Sequence, residues 1–139
     1  MKELTLAATL ENINTVTDFV NEQLEMLDCP MKAQMQIDIA IDEIFSNIAR
    51  YAYAPNSGNA TVRVETETDP LAMVITFIDA GVPYNPLAKE DPNTMLSAEE
   101  REIGGLGIYM VKKSMDAVEY AFEDGCNKLS VKKILSVGK

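Results

Sequence analysis

The sequence predicts an α/β (α+β) protein, a two-layer sandwich with a mostly antiparallel sheet and three main helices on one face. Segments such as "ATVRVETE" alternate apolar and polar residues, which is the period of a half-buried strand. Other segments repeat apolar residues every three or four positions, which is the period of an amphipathic helix. The predicted order is β-α-α-β-β-loop-α-β-β, and this order favours a sheet of hairpins covered by helices.

The first half of the chain contains the first strand and two helices. "ELTLAAT" alternates well enough for a strand. An amphipathic helix follows, with its apolar residues at Leu10, Ile13, Val16, Phe19, Val20, Leu24 and Leu27. Pro30 suits the start of a second helix, because its missing N–H would be unpaired there in any case. That helix ends near "APNSGN", where Pro55 and Gly58 interrupt it.

The second half begins and ends with hairpins. "ATVRVETE" and "LAMVITFID" are two strands joined at "TDP", and "AVEYAFE" and "NKLSVKKI" are two more joined at "DG". Between the hairpins lies a long irregular segment from Ala80 to Gly105, a length that is usually functional or disordered. Ser97 and Glu100 have capping-box spacing, which predicts a short helix inside it. "LGIYMVKKSM" is the third main helix.

Length and composition exclude several classes of function. The 139 residues suit one domain spanning 1–139. A net charge of -10 argues against direct binding to a nucleic-acid backbone, which needs a basic surface. The chain has no histidine, so imidazole metal sites, Ser-His triads and a phospho-accepting histidine are excluded.

Cysteine usage and hydropathy predict the compartment. Cys29 and Cys126 form no metal-spaced pair and are expected to be free thiols in a reducing environment. The N-terminus lacks the pattern of a signal peptide, and no apolar stretch approaches the ~20 residues of a membrane span. We therefore expect a soluble, cytoplasmic protein that does not enter a membrane.

The first candidate motif is "IDEIFSNIARYAY" in the second helix. Its apolar residues form one helical stripe: Ile41, Ile44, Ile48 and Tyr51. Glu43 and Asn47 stand beside the stripe, four residues apart and therefore on one face, and Arg50 follows. An Asn carbonyl can bind Mg²⁺, and a carboxylate one turn away can deprotonate a nucleophile that attacks a γ-phosphate. By itself the pair is a weak signal, because a solvated polar helix edge is the usual case.

The second candidate motif is "FIDAGVPYNP", in which an apolar strand ends at Asp79 and is followed by Gly81 and Pro83. Asp, Gly and Pro are common turn residues, so a plain turn is one interpretation. The other is adenine binding, because a carboxylate can accept a hydrogen bond from the exocyclic amine of adenine. Guanine has an oxygen acceptor at that position and would be repelled. Gly81 would let the backbone approach the base closely.

The third candidate motif is "GGLGIYMV", which opens the third helix. Glycines before a helix can be simple punctuation, and a lone G-x-G is a weak signal. Exposed backbone N–H groups at a helix N-terminus also bind phosphate. Each motif alone favours the ordinary interpretation. All three in this order, separated by a long loop, favour a nucleotide site.

With these motifs, the sequence resembles the GHKL, or Bergerat-fold, ATPase and kinase superfamily. "DEIFSNIARYAY" resembles its N box, "DAGVPYNP" its G1 box and "GGLGIYM" its G2 box, and residues 86–104 resemble its ATP lid. The small size and the D-x-G-x-P followed by "NP" are most similar to the anti-sigma factor serine/threonine kinases. The resemblance covers nearly the whole chain and implies ATP and Mg²⁺ as cofactors.

The resemblance also implies roles for particular residues. Glu43 matches the general base and Asn47 the magnesium-binding position. The expected nucleotide-binding residues are Asn47, Arg50, Asp79, Gly81, Pro83, Arg101, Gly104, Gly105, Leu106, Gly107 and Asn127. Among these, Asp79 matches the adenine-binding aspartate, Asn127 a position that supports it, and Gly105 and Gly107 the phosphate-binding glycines. Arg101 in the lid and Arg50 after the N box would contact phosphate, although Arg50 is also compatible with a surface ion pair.

The implied function is an ATP-dependent serine/threonine protein kinase that acts as an anti-sigma factor. Such a kinase binds a sigma factor and phosphorylates an anti-anti-sigma antagonist, and the family often forms homodimers. Two alternatives remain open at this stage. One is an ATP-binding switch without kinase activity, and the other is the catalytic domain of a split histidine kinase whose acceptor histidine lies on another protein.

Overall fold

A computed structural model describes residues 1–53, 56–88 and 105–135. Within them lies a five-stranded sheet with the strand order β1-β2-β3-β5-β4, in which every neighbouring pair is antiparallel. The strands are β1 Lys2–Ala7, β2 Asn59–Glu67, β3 Ala72–Asp79, β4 Ala117–Glu123 and β5 Cys126–Ile134. The antiparallel sheet predicted from the alternating segments is confirmed.

Three α-helices accompany the sheet in the described residues: α1 Ile13–Met26, α2 Met31–Asn47 and α3 Gly105–Ser114. A turn of 3₁₀-helix, Leu10–Asn12, leads into α1. The second predicted helix differs from the expectation at its end, because α2 continues as a π-helix from Ile48 to Ala52. A π-helix places more residues in each turn than an α-helix, so it rotates the following side chains away from their expected face.

The core lies between the helices and one face of the sheet. Val16, Val20 and Leu24 of α1 are buried, and α2 contributes its own apolar side. Phe45 of α2 and Phe77 of β3 are among the largest side chains that are fully buried. Burying each contributes about 2–3 kcal/mol to folding. The opposite face of the sheet carries polar pairs, such as the hydroxyls of Thr5 and Thr61 at 2.8 Å.

Strand register brings two polar residues together at one end of this core. Asp79 ends β3 and is paired directly with Asn127 of β5. The same register pairs Phe77 with Leu129, so these four side chains lie on the helix-covered face. The site therefore forms where the strand ends meet the C-terminal part of α2.

The described residues include both cysteines and all of the main helices, but they include little of the predicted lid. Cys29 and Cys126 are free thiols, as expected. None of the described helices combines the length and apolarity needed to cross a bilayer. The short helix predicted from Ser97 and Glu100, and nearly all of the predicted lid at 86–104, lie outside the described residues; within the lid the structure gives a 3₁₀ turn at Pro86–Ala88.

Candidate functional site

A cavity of about 600 Å³ opens between the end of α2, the ends of β3 and β5, and the start of α3. Ile44, Ile48 and Ile108 form apolar walls, and Phe77 and Leu129 line it from the sheet. Polar groups enter the lining at Asn47, Asp79 and Asn127. An apolar cavity of this volume with a few polar groups is typical of a small-molecule site.

Asp79 presents a carboxylate at the cavity and is itself only 7% exposed. Its Oδ1 accepts a hydrogen bond from the Gly81 N–H at 2.9 Å and another from Asn127 Nδ2 at 3.0 Å. Both of these hydrogen bonds end on Oδ1. Among the described residues, Oδ2 is therefore left to accept from a ligand, as the adenine interpretation requires.

Asn127 uses all of its side-chain polar groups inside the site. Its Nδ2 donates to Asp79 Oδ1 and to the Val82 carbonyl oxygen at 2.9 Å. Its Oδ1 accepts from the Tyr84 N–H at 3.0 Å and from the Tyr120 hydroxyl. These four bonds fix the orientation of the amide and support Asp79 from the neighbouring strand.

Gly81 has a different structural role from the one predicted. It is not among the residues that line the cavity. A Cβ at this position would lie 2.2 Å from the carbonyl oxygen of Ala52, so the missing side chain lets the loop pack against the π-helix. The Val82 N–H then donates to that same Ala52 oxygen at 3.0 Å. The close approach that the structure shows at Gly81 is therefore to the protein backbone, and an approach to a base stays a prediction.

Tyr53 holds the same loop from its other side. Its hydroxyl donates to the carbonyl oxygen of Asn59 at 2.6 Å and accepts from the Ala80 N–H at 2.8 Å. Gly58 provides space for the tyrosine ring, because a Cβ there would lie 2.5 Å from it. The loop after Asp79 is thus attached to the end of the π-helix and to the start of β2.

Glu43 and Asn47 form the pair that their spacing predicts. Asn47 Nδ2 donates to Glu43 Oε2 at 2.8 Å, so the Asn47 carbonyl oxygen remains available as a metal ligand. Asn47 lines the cavity, whereas Glu43 is not among the lining residues and lies beside Gly107 of α3. A Cβ on Gly107 would be 1.9 Å from Glu43 Oε1, so this glycine provides the space that the carboxylate occupies.

Arg50 does not join this pair and is not among the residues that line the larger cavity. It lines a second, smaller depression together with Thr9, Glu11 and Tyr53. The reason is the π-helix from Ile48 to Ala52, which rotates Arg50 away from the face of Asn47. Tyr51 and Ala52 line the cavity in its place.

Some of the remaining predicted nucleotide-binding residues lie in the described structure and others do not. Pro83 lines the cavity, and Gly105 and Leu106 are the first two residues of α3, whose Ile108 is in the lining. Arg101 and Gly104 lie outside the described residues.

Three tyrosines of the lining were missed by the sequence analysis: Tyr51, Tyr84 and Tyr120. Tyr51 was assigned to the buried stripe but is 50% exposed. The alternation of "AVEYAFE" puts Tyr120 on the core face of β4, and that pattern was the available signal.

A protein-family model described as "Histidine kinase-like ATPase domain" matches residues 6–133. The chain belongs to the histidine kinase-like ATPase domain family. The GHKL resemblance predicted from the three boxes is therefore confirmed, and the antiparallel sheet with its helices is the fold expected of such a domain.

Two relatives of this ATPase domain are informative. "Serine/threonine-protein kinase BtrW" of Bordetella bronchiseptica is 23% identical over 100 residues, which are 72% of this chain and 70% of that protein. The structure of the RsbU and RsbW domains of Rv1364c from Mycobacterium tuberculosis superposes with a TM-score of 0.68 at 18% identity. The match covers 99% of this chain and 34% of that one, so the chain spans about a third of the larger protein and shares its fold.

Membership of an ATPase domain family implies ATP binding, and the cavity fits this ligand. Asp79 Oδ2 is an available acceptor at the buried end, and the apolar walls suit a base. Asn47 Oδ1 is available nearer α3, whose N-terminal N–H groups favour an anion.

Proposed function

We propose that the chain is an ATP-dependent serine/threonine protein kinase that acts as an anti-sigma factor. It would bind a sigma factor and phosphorylate an anti-anti-sigma antagonist. The observation that carries the proposal is the Glu43 carboxylate, which accepts a hydrogen bond at 2.8 Å from Asn47, a residue of the cavity lining. The name of the Bordetella bronchiseptica relative, a serine/threonine-protein kinase, supports the same reaction class.

Nucleotide binding in this proposal uses the two ends of the cavity. Asp79 accepts a hydrogen bond from the exocyclic amine of adenine through Oδ2, and the carbonyl oxygen at the same position of guanine is rejected. Asn47 supplies its carbonyl oxygen to Mg²⁺, which prefers oxygen ligands and is often bound by one or two protein groups together with phosphates. The first turn of α3, beginning at Gly105, offers backbone N–H groups to the phosphates.

Phosphotransfer in this proposal depends on Glu43. When bound, Mg²⁺ neutralises charge on the transferred phosphoryl group. Glu43 orients the serine or threonine hydroxyl of the antagonist and accepts its proton as the oxygen becomes a nucleophile. The hydrogen bond from Asn47 and the contact with Gly107 hold the carboxylate in place for this role.

The proposal is tested with the full chain isolated from its native cell together with the proteins that co-purify. After incubation with Mg-ATP, mass spectrometry should find phosphoserine or phosphothreonine on a co-purified protein. Phosphohistidine on that protein would instead indicate a split histidine kinase. ATP binding with no phosphotransfer to any partner would contradict the kinase proposal and indicate a nucleotide-dependent switch.

A further inference from the structure

Tyr120 lies on the edge strand β4, one strand away from the residue that supports Asp79. Register pairs it with Leu129 of β5, and both side chains line the cavity. The residue directly opposite Asn127 is Phe122, which has no hydroxyl. Tyr120 reaches Asn127 diagonally across the same face of the sheet and donates its hydroxyl proton to Asn127 Oδ1.

The orientation of the Asn127 amide decides what Asp79 can do. With Nδ2 toward Asp79, the amide donates to Oδ1 and leaves Oδ2 for a ligand. With the amide reversed, its carbonyl oxygen would face the Asp79 carboxylate and the Val82 carbonyl oxygen, which are both acceptors. In the described part of the chain, two donors fix Oδ1 on the other side: the Tyr84 N–H and the Tyr120 hydroxyl. Of these, only the Tyr120 hydroxyl belongs to a side chain that a substitution can remove.

We propose that Tyr120 is a positioning residue for base selection by this site. Through Asn127, its hydroxyl keeps Asp79 Oδ2 directed at the exocyclic amine of the base, although Tyr120 itself need not contact that amine. The inference rests on the proposed adenine contact of Asp79. It adds a residue on β4 to the parts of the site that distinguish purines.

The test compares two probes, ATP and purine riboside 5′-triphosphate, which lacks the 6-amino group. The wild-type chain should bind ATP more tightly than the analogue in titration calorimetry with Mg²⁺. Tyr120→Phe should reduce this preference about two- to tenfold, the value of one hydrogen bond, by weakening ATP binding alone. Asn127→Ala should reduce it at least as much, and Tyr109→Phe, a tyrosine on α3 beside Lys113, should leave it unchanged.

Each other outcome has a defined meaning. If Tyr120→Phe keeps the full preference while Asn127→Ala loses it, Tyr120 does not position the amide and the inference is wrong. If Tyr120→Phe weakens the binding of both nucleotides equally, Tyr120 is only a contact in the cavity wall, and the inference is again wrong. A wild-type chain without any preference would reject the adenine contact of Asp79 itself, and with it this inference.

A measurement on the wild-type chain tests the same inference without a substitution. In the proposed network, Asn127 Nδ2 donates to two acceptors while its Oδ1 is fixed by Tyr120 and Tyr84. The two side-chain amide protons of Asn127 should therefore exchange slowly with solvent when followed by NMR. Rapid exchange in the folded chain would contradict a fixed amide.

Discussion

Asn127 donates a hydrogen bond from Nδ2 to Asp79 Oδ1 at 3.0 Å, across 48 residues of sequence. The two residues are register partners on adjacent antiparallel strands, so the sheet itself sets their distance. The Gly81 N–H donates a second hydrogen bond to the same Asp79 oxygen. Together these bonds hold a buried carboxylate with one oxygen left for a ligand, which is the feature expected of a site that recognises an amino group.

The first prediction concerns this carboxylate. At 100 times its dissociation constant, ATP should stabilise the wild-type chain by about 2.7 kcal/mol, and GTP should stabilise it much less. Asp79→Ala should remove most of the ATP effect, because no acceptor remains for the exocyclic amine. Thermal melts with Mg-ATP and Mg-GTP measure both. Equal shifts with the two nucleotides would reject the assignment of Asp79 to adenine.

Gly81→Ala should destabilise the fold. The added Cβ would lie 2.2 Å from the backbone oxygen of Ala52, where no flexible side chain can move aside. Overpacking of this kind costs about 1–3 kcal/mol and should lower the melting temperature of the apo chain by several degrees.

Gly125→Ala measures the other cost of adding a Cβ, backbone strain at a positive φ without a packing obstacle. Gly125 has a φ of 76° and nothing within 4 Å of an added Cβ, so only the backbone cost of about 1–2 kcal/mol applies. Double-mutant analysis with Ala52→Gly, which trims a side chain that the added Cβ would also meet, should recover little because the main obstacle is backbone. A Gly81→Ala protein as stable as the wild type would show that the loop does not need this close contact.

Gly107→Ala is expected to act through Glu43. Its Cβ would lie 1.9 Å from Glu43 Oε1, the far end of a flexible side chain, so the carboxylate should move while the fold persists. Phosphotransfer should fall because the carboxylate is displaced. Helix propensity acts on stability in the opposite direction, since Ala favours a helix by up to about 1 kcal/mol over Gly.

A double-mutant cycle isolates this contact. In a Glu43→Ala background the obstructing carboxylate is absent, so Gly107→Ala should show the full helix gain in thermal melts. In the wild-type background part of that gain should be lost to the displaced Glu43. Identical gains in both backgrounds would mean that Gly107 and Glu43 are not coupled.

Asp38 on α2 gives a prediction about pH. Burial raises the pKa of its carboxyl, and a hydrogen bond from Asn21 opposes this only in part. Asp38 Oδ1 and Asn21 Oδ1 are both buried, and neither has a hydrogen-bond partner among the described residues. Because the folded state binds this proton more tightly than the unfolded state, proton binding to Asp38 stabilises the fold. This stabilisation is complete at low pH and is lost as pH rises through the raised pKa.

Asp38→Asn should therefore stabilise the chain at pH 7, by roughly 1 kcal/mol, because the new amide carries no charge and can donate to Asn21. The gain should shrink as pH falls through the raised pKa of Asp38 and level off below the ordinary pKa of an aspartate, where the carboxyl is neutral in both the folded and the unfolded state. Urea unfolding at several pH values measures it. Asp42→Asn, an exposed position on the same helix, should show no comparable gain; a gain for Asp38→Asn that does not change with pH would contradict this account.

Much of the fold could be predicted because its elements have clear periods. The strands "ATVRVETE" and "AVEYAFE" alternate cleanly, and the structure places β2 and β4 within one residue of them. The Glu43–Asn47 pair follows from helical spacing alone, and the hydrogen bond at 2.8 Å has the expected partners. Local periodicity was sufficient wherever one element positions its own residues.

The parts that were missed depend on contacts between distant segments. Arg50 was placed by continuing an α-helix, but the chain forms a π-helix where Ala52 accepts a hydrogen bond from Val82. Gly81 was interpreted from a possible ligand, whereas its neighbour in space is that same alanine. The alternation of "AVEYAFE" indicates the face of Tyr120, but its contact with Asn127 depends on strand register, which no local pattern specifies. These positions required the tertiary structure.

The central claim is that Glu43 serves phosphotransfer while Asn47 serves Mg-ATP binding. The direct test measures nucleotide affinity and partner phosphorylation for Glu43→Gln and Asn47→Ala, with Asp42→Asn as the control for loss of a nearby carboxylate. Glu43→Gln should bind Mg-ATP nearly as the wild type does but phosphorylate its partner roughly 10²–10⁴ times more slowly. Asn47→Ala should lose magnesium-dependent binding and phosphotransfer together. A Glu43→Gln protein that phosphorylates its partner at the wild-type rate would contradict the account.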